Sequence, residues 1–149
     1  MMILNHEIIE SPYVYAEAAV TLDERRAWLE EHRAHGLAVL VAVEDGIVRG
    51  WGSLSPYRSA SGYRFTVEPS VYVAAAARGR GIARTLLTAL HEAAIARNAH
   101  ASVASIDAEN LPSITLFLAF GYREVARLPE VGRKFDHWRT QLLLLRELG

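Results

Sequence analysis

The chain has 149 residues, enough for one domain with a buried core, and no linker or shift in composition divides residues 1–149. Its 16 Lys and Arg against 17 Asp and Glu give a formal charge of -1, which excludes the strongly basic footprint of a nucleic-acid-binding protein. The absence of cysteine excludes disulfides and a thiolate nucleophile, and no apolar run reaches the length of a membrane span, so we predict a soluble, cytoplasmic protein.

The N-terminal half predicts a helix, a β-hairpin and a further strand. Thr21 and Glu24 have the capping-box spacing, in which each side chain satisfies the other residue's backbone N–H, so a helix should begin there. Two apolar runs flank Asp45-Gly46, a pair typical of tight hairpin turns. The strand pattern of residues 63–73 contains Pro69, which lacks an N–H and indicates an edge, a bulge or a splay.

The C-terminal half predicts alternating helices and strands. A helical stripe runs through residues 81–98, and a short strand follows at 101–106. Asn110 is a candidate N-cap for a helix that ends at Gly121. Two closing strands are predicted on either side of a loop at 129–137. The order of elements predicts a mixed α/β domain.

The segment RGRGIAR, residues 78–84, lies where a strand meets a helix. A helix N-terminus presents unpaired N–H groups, and glycine lets an anion approach the backbone, so a phosphate or pyrophosphate is the expected ligand. The turn lacks the lysine of a P-loop and the third glycine of a dinucleotide fingerprint. The alternative is that Gly79 and Gly81 only shape a turn and that Arg78, Arg80 and Arg84 are solvated.

The same segment matches a family signature. Arg78-Gly79-Arg80-Gly81-Ile82-Ala83 resembles the R/Q-x-x-G-x-G/A motif of the GNAT acetyltransferase superfamily. More specifically, TVEPSVYV, RGRGIARTLL, ASIDAENLPSI, FGY and EVGRKFDHW have the order and spacing seen in phosphinothricin and methionine sulfoximine acetyltransferase-like proteins, from about Asn5 onwards. The resemblance implies a mixed, mostly antiparallel sheet with a splayed strand pair and flanking helices. It also implies that the family's N-terminal strand is missing, because MMILNH matches the end of its first helix.

The resemblance implies acetyl-coenzyme A as cosubstrate, with the pyrophosphate at the glycine-rich turn and the pantetheine arm in the splay. The implied cofactor-binding residues are Val71, Tyr72, Val73, Arg78, Gly79, Arg80, Gly81, Ile82, Ala83, Arg84, Asn110 and Ser113. Val71 would pair with pantetheine amides, and Val73 would donate its N–H to the thioester oxygen. For Asn110, which matches an asparagine beside the cofactor, a plain N-cap role stays open.

Glu68 matches the family's general base, and Asn110 is the second candidate catalytic residue. A structural ion pair is the alternative role for Glu68. The sequence has Phe117 where relatives have His or Tyr, and phenylalanine cannot protonate a leaving thiolate. Tyr122 is not expected to replace it.

The implied acceptor-binding residues are Tyr15, Arg58, Arg64, Glu68, Lys134 and Phe135. A guanidinium suits the carboxylate of an amino-acid-like acceptor, although Arg58 and Arg64 could each be surface residues. Lys134 and Phe135 match a loop that faces the partner subunit in dimeric relatives, so a homodimer is implied.

The resemblance therefore predicts acetyl transfer to the primary amine of a small amino-acid-like acceptor by direct attack, without an acyl-enzyme. The alternatives are a polyamine or protein N-terminus as acceptor, or a coenzyme A-binding module with little turnover. No metal is predicted, because the six histidines have no metal-binding spacing.

Overall fold

The computed structural model describes residues 1–149 and contains four α-helices, six β-strands and two short 3-10 turns. The helices and strands in chain order are α1 (Met2–Glu10), α2 (Leu22–Ala34), β1 (Val39–Glu44), β2 (Ile47–Pro56), β3 (Thr66–Val73), α3 (Ile82–Ala96), β4 (Ala101–Asp107), α4 (Leu111–Ala119), β5 (Arg123–Lys134) and β6 (His137–Glu147). None of the helices is both long and apolar enough to cross a membrane.

The six strands form one mixed sheet in the order β1-β2-β3-β4-β6-β5. All neighbouring pairs are antiparallel except β3 and β4, which are parallel. These two strands pair only at Thr66 with Ala101 and at Val67 with Ser102. Beyond that point they diverge, and Pro69, which has no N–H to donate, begins the divergent part of β3. The predicted mixed sheet with a splayed strand pair is confirmed.

The helices cover the two faces of the sheet. α3 packs through residues such as Leu90 against Leu54 and Val67, and α1 packs through Leu4 and Ile8 against Trp51 on the opposite face. α3 approaches β2 closely at two glycines. A Cβ at Gly52 would lie 2.9 Å from the Leu90 side chain, and one at Gly50 would lie 3.0 Å from Ile82. Because these glycines let the backbones of α3 and β2 lie close together, the N-terminus of α3 lies beside the splayed strands.

Several sequence-based expectations are confirmed. Thr21 and Glu24 form the capping box, and the β1–β2 hairpin turns at Asp45-Gly46, where both residues have positive φ. One expectation was wrong. Most of the predicted loop at 129–137 is strand, because β5 continues to Lys134 through an irregular stretch in the pairing that accommodates Pro129 and Gly132.

Candidate active site

A cavity of about 740 Å³ lies where β3 and β4 separate. Five segments line it: α1 with the loop after it, the divergent part of β3, the turn with the first residues of α3, the end of β4, and the start of α4. The cavity is lined by eleven of the twelve residues predicted to bind the cofactor, namely Val71, Tyr72, Val73, Arg78, Gly79, Gly81, Ile82, Ala83, Arg84, Asn110 and Ser113.

The backbone of residues 79–84 presents unpaired N–H groups at this cavity. The first intrahelical bond of α3 runs from Thr85 N–H to the carbonyl of Gly81, and no side chain caps the helix. The six N–H groups from 79 to 84 therefore donate to no acceptor in the protein. Gly79 and Gly81 have φ values of +73° and +82°, which glycine adopts without strain. Such an array of donors at a helix N-terminus fits a pyrophosphate.

The divergent part of β3 adds an open backbone edge to the cavity. Antiparallel pairing alternates the direction of the backbone groups, and Ala74 N–H bonds the carbonyl of Arg49 at 2.9 Å. The N–H and C=O groups of Val71 and Val73 therefore point away from β2, towards β4, where no strand pairing reaches them. An extended ligand with amide groups can pair with this edge as a strand would.

The three arginines of the turn have different environments. Arg78 forms an ion pair with Glu7 on α1, and its Nε donates to the carbonyl of Val73 at 3.3 Å. Arg80 does not line the cavity, since it pairs with Glu44 at the β1–β2 hairpin. Arg84 lines the cavity, and its guanidinium lies 5.5 Å from the centre of the Phe120 ring.

Glu68 lies on β3 directly before the segment that lines the cavity. It shares the α1 face of the sheet with Tyr72, a cavity residue, and stands opposite Ser55 on β2. Its charge contributes to raising the pKa of Tyr72, for which burial is the larger cause. No ion pair in the structure involves Glu68. The ion-pair alternative considered for this carboxylate is therefore absent from the structure.

The α4 side of the cavity combines a cap and an apolar wall. The Asn110 side chain accepts a hydrogen bond from Ser113 N–H at 3.3 Å, so this residue is an N-cap and a wall residue at once. Phe117 also lines the cavity, with its ring 4.9 Å from that of Tyr122. The Tyr122 hydroxyl lies in the interior, 2.6 Å from Ser102 Oγ and 2.8 Å from His91 Nε2. No proton donor stands at the Phe117 position.

A buried ion-pair network, which the sequence did not predict, borders the cavity. Arg139 makes two hydrogen bonds to the Asp107 carboxylate, at 2.8 and 2.7 Å, and a third contact to Glu109 at 3.0 Å. Tyr15 donates its hydroxyl proton to Asp107 at 2.9 Å. Desolvation raises the pKa of Asp107, but the bonds from Arg139, Glu109 N–H and Tyr15 together hold that pKa below its usual value. The only sequence signal was an aspartate at the carboxyl end of a strand.

Tyr15 reaches the cavity wall through this network and does not line the cavity itself. Its ring packs against β5, where a Cβ at Gly132 would lie 2.4 Å from a ring carbon. Burial and the contact with Asp107 raise the pKa of the Tyr15 hydroxyl, which stays protonated as a donor. The predicted acceptor residue therefore holds the loop between α1 and α2 against β4 and β5.

The two predicted acceptor arginines lie away from the cavity. Arg58 is 5.1 Å from the centre of the Tyr57 ring, and Arg64 is 4.4 Å from that of Phe65. Both arginines are exposed on the segment between β2 and β3. This position agrees with the alternative interpretation of the sequence, in which Arg58 and Arg64 are surface residues.

Lys134 and Phe135 lie at the β5–β6 hairpin. The buried Lys134 ammonium donates to the carbonyl of Ile8 at 2.6 Å and to that of Ala16, so it anchors α1 and the following loop. Phe135 forms the turn and is 51% exposed. The structure gives Lys134 an anchoring role in place of the expected contact with the acceptor. The chain has no group of three His, Cys, Asp or Glu side chains arranged to hold a metal ion.

The comparison with protein families decides to which family the chain belongs. Residues 2–122 match the protein family that is described as "Acetyltransferase (GNAT) family". This chain belongs to the GNAT acetyltransferase family. The predicted fold, the enzyme class and acetyl-coenzyme A as cosubstrate are confirmed.

Individual relatives agree with this assignment. A methionine sulfoximine/methionine sulfone acetyltransferase of Salmonella typhimurium is 39% identical over 136 residues, which cover 91% of this chain and 80% of the relative. The crystal structure of a GNAT superfamily phosphinothricin acetyltransferase from Sinorhizobium meliloti in complex with acetyl-CoA has a TM-score of 0.96 at 28% identity and covers 99% of this chain and 80% of that chain. A structure described as a ribosomal-protein-alanine N-acetyltransferase from Brucella melitensis has a TM-score of 0.96 at 40% identity, covering 98% and 90%.

Proposed function

We propose that this enzyme transfers the acetyl group of acetyl-coenzyme A to the primary amine of a small amino-acid-like acceptor of the methionine sulfoximine or phosphinothricin type. The six unpaired N–H groups of residues 79–84, beside the open edge of β3, carry the cofactor half of this proposal. The names of the relatives support the acceptor half.

In the proposed reaction the N–H groups of residues 79–84 bind the pyrophosphate, and the open edge at Val71 and Val73 pairs with the pantetheine arm. The ammonium group of the acceptor loses one proton to Glu68, directly or through a water molecule; the neutral amine nitrogen then attacks the thioester carbon and gives a second proton to water. A backbone N–H of the same open edge stabilises the developing oxyanion. The C–S bond then breaks, and the thiolate takes its proton from water, because Phe117 has none to give.

The proposal includes a cytoplasmic homodimer. Three exposed apolar side chains, Val131, Phe135 and Trp138, lie on the β5–β6 hairpin and support an interface there. The anchoring of Lys134 in its own subunit leaves the neighbouring aromatic residues as the groups that would meet the partner.

The first test is thiol release from acetyl-coenzyme A by the purified protein. The acceptors are phosphinothricin, methionine sulfoximine, free amino acids, a polyamine and a peptide with N-terminal alanine, the last because of the Brucella melitensis structure. We expect release with the amino-acid-like acceptors. Preferential release with the alanine peptide would replace the proposed acceptor by a protein N-terminus. No release with any acceptor, while coenzyme A still raises Tm, would favour a binding module.

A further inference from the structure

Glu7 and Arg78 form an ion pair between two walls of the cavity. Glu7 lies on α1, and Arg78 lies in the turn that precedes the cofactor-binding N–H groups. The Glu7 side chain is only 15% exposed, whereas that of Arg78 is 54% exposed. Arg78 is the only cation paired with this carboxylate, so whatever moves Arg78 leaves a largely shielded charge without a partner.

Arg78 also occupies a backbone group that the cofactor needs. Its Nε donates to the carbonyl of Val73, which belongs to the open edge of β3. A pantetheine amide that pairs with Val73 would displace that bond. A pyrophosphate at residues 79–84 would at the same time attract the guanidinium, because phosphate oxygens accept strong charge-assisted hydrogen bonds from arginine. Both effects draw Arg78 away from Glu7 when the cofactor binds.

The loss of Arg78 changes what Glu7 can bind. A shielded carboxylate without a cation is unfavourable, and an incoming cation removes that penalty. Two other carboxylates line the cavity: Asp107 is already satisfied by Arg139, whereas Glu10 is exposed, so water already stabilises its charge. The cation that must enter this cavity during the reaction is the acceptor, whose amine is protonated in neutral solution.

We propose that Glu7 binds the ammonium group of the acceptor, and that it becomes available only when the cofactor has taken Arg78. This inference rests on the proposed N-acetyltransferase function and adds a residue and an order of binding to it. The cofactor binds first, and its binding strengthens that of the acceptor. The alternative is that Glu7 holds Arg78 in position to bind the phosphate. In that case a Glu7 variant would bind the cofactor more weakly, whereas our proposal predicts tighter binding.

The test compares Glu7→Gln with Glu44→Gln. Glu44 pairs with Arg80 in the same turn but does not line the cavity, so it controls for the loss of one negative charge near the cofactor. Calorimetry with coenzyme A gives the Kd, and steady-state kinetics with the best acceptor give its KM. For Glu7→Gln we expect a coenzyme A Kd about fivefold lower and an acceptor KM about tenfold higher, within the usual range of coupling between sites. For Glu44→Gln we expect both within about twofold of the parent protein.

In Glu7→Gln the coenzyme A Kd should fall while the acceptor KM rises. General damage to the fold would instead weaken the binding of both coenzyme A and the acceptor. In an Arg78→Gln background, Glu7→Gln should leave the coenzyme A Kd unchanged, because the competition is already removed. A weaker coenzyme A affinity in Glu7→Gln, or equal tightening in Glu44→Gln, would overturn the proposal. If the parent protein acetylates no acceptor, the proposed function fails, and the coenzyme A affinities alone still decide whether Glu7 competes for Arg78.

Discussion

Arginine and lysine side chains around the cavity have roles that depend on distant partners. Arg78 and Arg80 are two positions apart, yet one pairs with α1 at the cavity and the other with Glu44 outside it. The buried Lys134 ammonium contacts the carbonyl of Ile8, 126 positions away in sequence. At the scale of single residues, residue type therefore states which contacts are possible, and the fold selects among them.

Glu68→Gln should lower kcat by about 10²- to 10⁴-fold, the usual contribution of a general base, because the amide cannot take the amine proton. The coenzyme A Kd should stay within about twofold, since Glu68 lies outside the turn and the open edge. A steady-state assay of thiol release measures kcat, and calorimetry measures the coenzyme A Kd. Glu92→Gln, at an exposed position of α3, is the matched control. Unchanged kcat in Glu68→Gln would remove this residue from the mechanism.

His91 makes the stability of the fold depend on pH. Burial, helped by the Arg146 charge, lowers the pKa of His91 from 6.5 to about 4. Between those values the unfolded chain takes up a proton that the folded protein does not, so acidification from pH 7 to pH 4.5 should destabilise the fold by about 2 kcal/mol through this residue. Urea unfolding of the parent protein and of His91→Gln at pH 7 and at pH 4.5 measures this loss of stability. The parent should lose more stability than the variant, and parallel losses would contradict the assignment.

The sequence predicted the local structure of residues well where the signal is local. The glycine-rich turn and the Asn110 cap depend on neighbours within a few positions, and both lie at the cavity. The roles of Lys134 and Asp107 depend on carbonyls and side chains from other elements, which spacing along the chain does not encode. Glu7 was missed for the same reason.

The N-terminus of α3 is the element on which the proposed cofactor site depends most directly. Its stripe of apolar residues packs against β2, and the glycines of β2 allow the close approach that places its uncapped end beside the splay. Local patterns predicted this helix, the capping box of α2 and the β1–β2 hairpin. The extent of β5 was mispredicted because Pro129 and Gly132 indicate a loop unless the partner strand is known.

Gly81→Val should raise the coenzyme A Kd at least tenfold, since valine at a φ of +82° distorts the turn that presents the N–H groups. Gly46→Val is the matched control, with a φ of +74° in the β1–β2 hairpin, outside the cavity. Both variants should lose similar stability, and only the first should lose affinity. Calorimetry and thermal unfolding give the comparison, and equal affinities would argue against a phosphate site at this turn.

At the scale of the whole molecule, we expect two chains to associate through the β5–β6 hairpin. Trp138 is 62% exposed and Phe135 51%, and an interface at this hairpin would bury the apolar surface of both rings. Light scattering should give the mass of a dimer for the parent protein and of a monomer for Trp138→Glu. Tyr63→Glu, a comparable change at an exposed aromatic residue outside the hairpin, should leave the dimer intact. A monomeric parent protein would contradict this prediction.

The short pairing between β3 and β4 divides the sheet into two three-stranded halves joined by two residue pairs. A cofactor that lies along the open edge of β3 would bridge the gap between the two halves, in addition to donating the acetyl group. Its binding energy adds to the stability of the fold, by about 2.7 kcal/mol when the free cofactor is at a hundred times its Kd. Local opening at this gap, and hence cleavage by proteases there, should become rarer as the acetyl-coenzyme A concentration rises. We therefore expect the lifetime of the protein to increase with the supply of its own substrate.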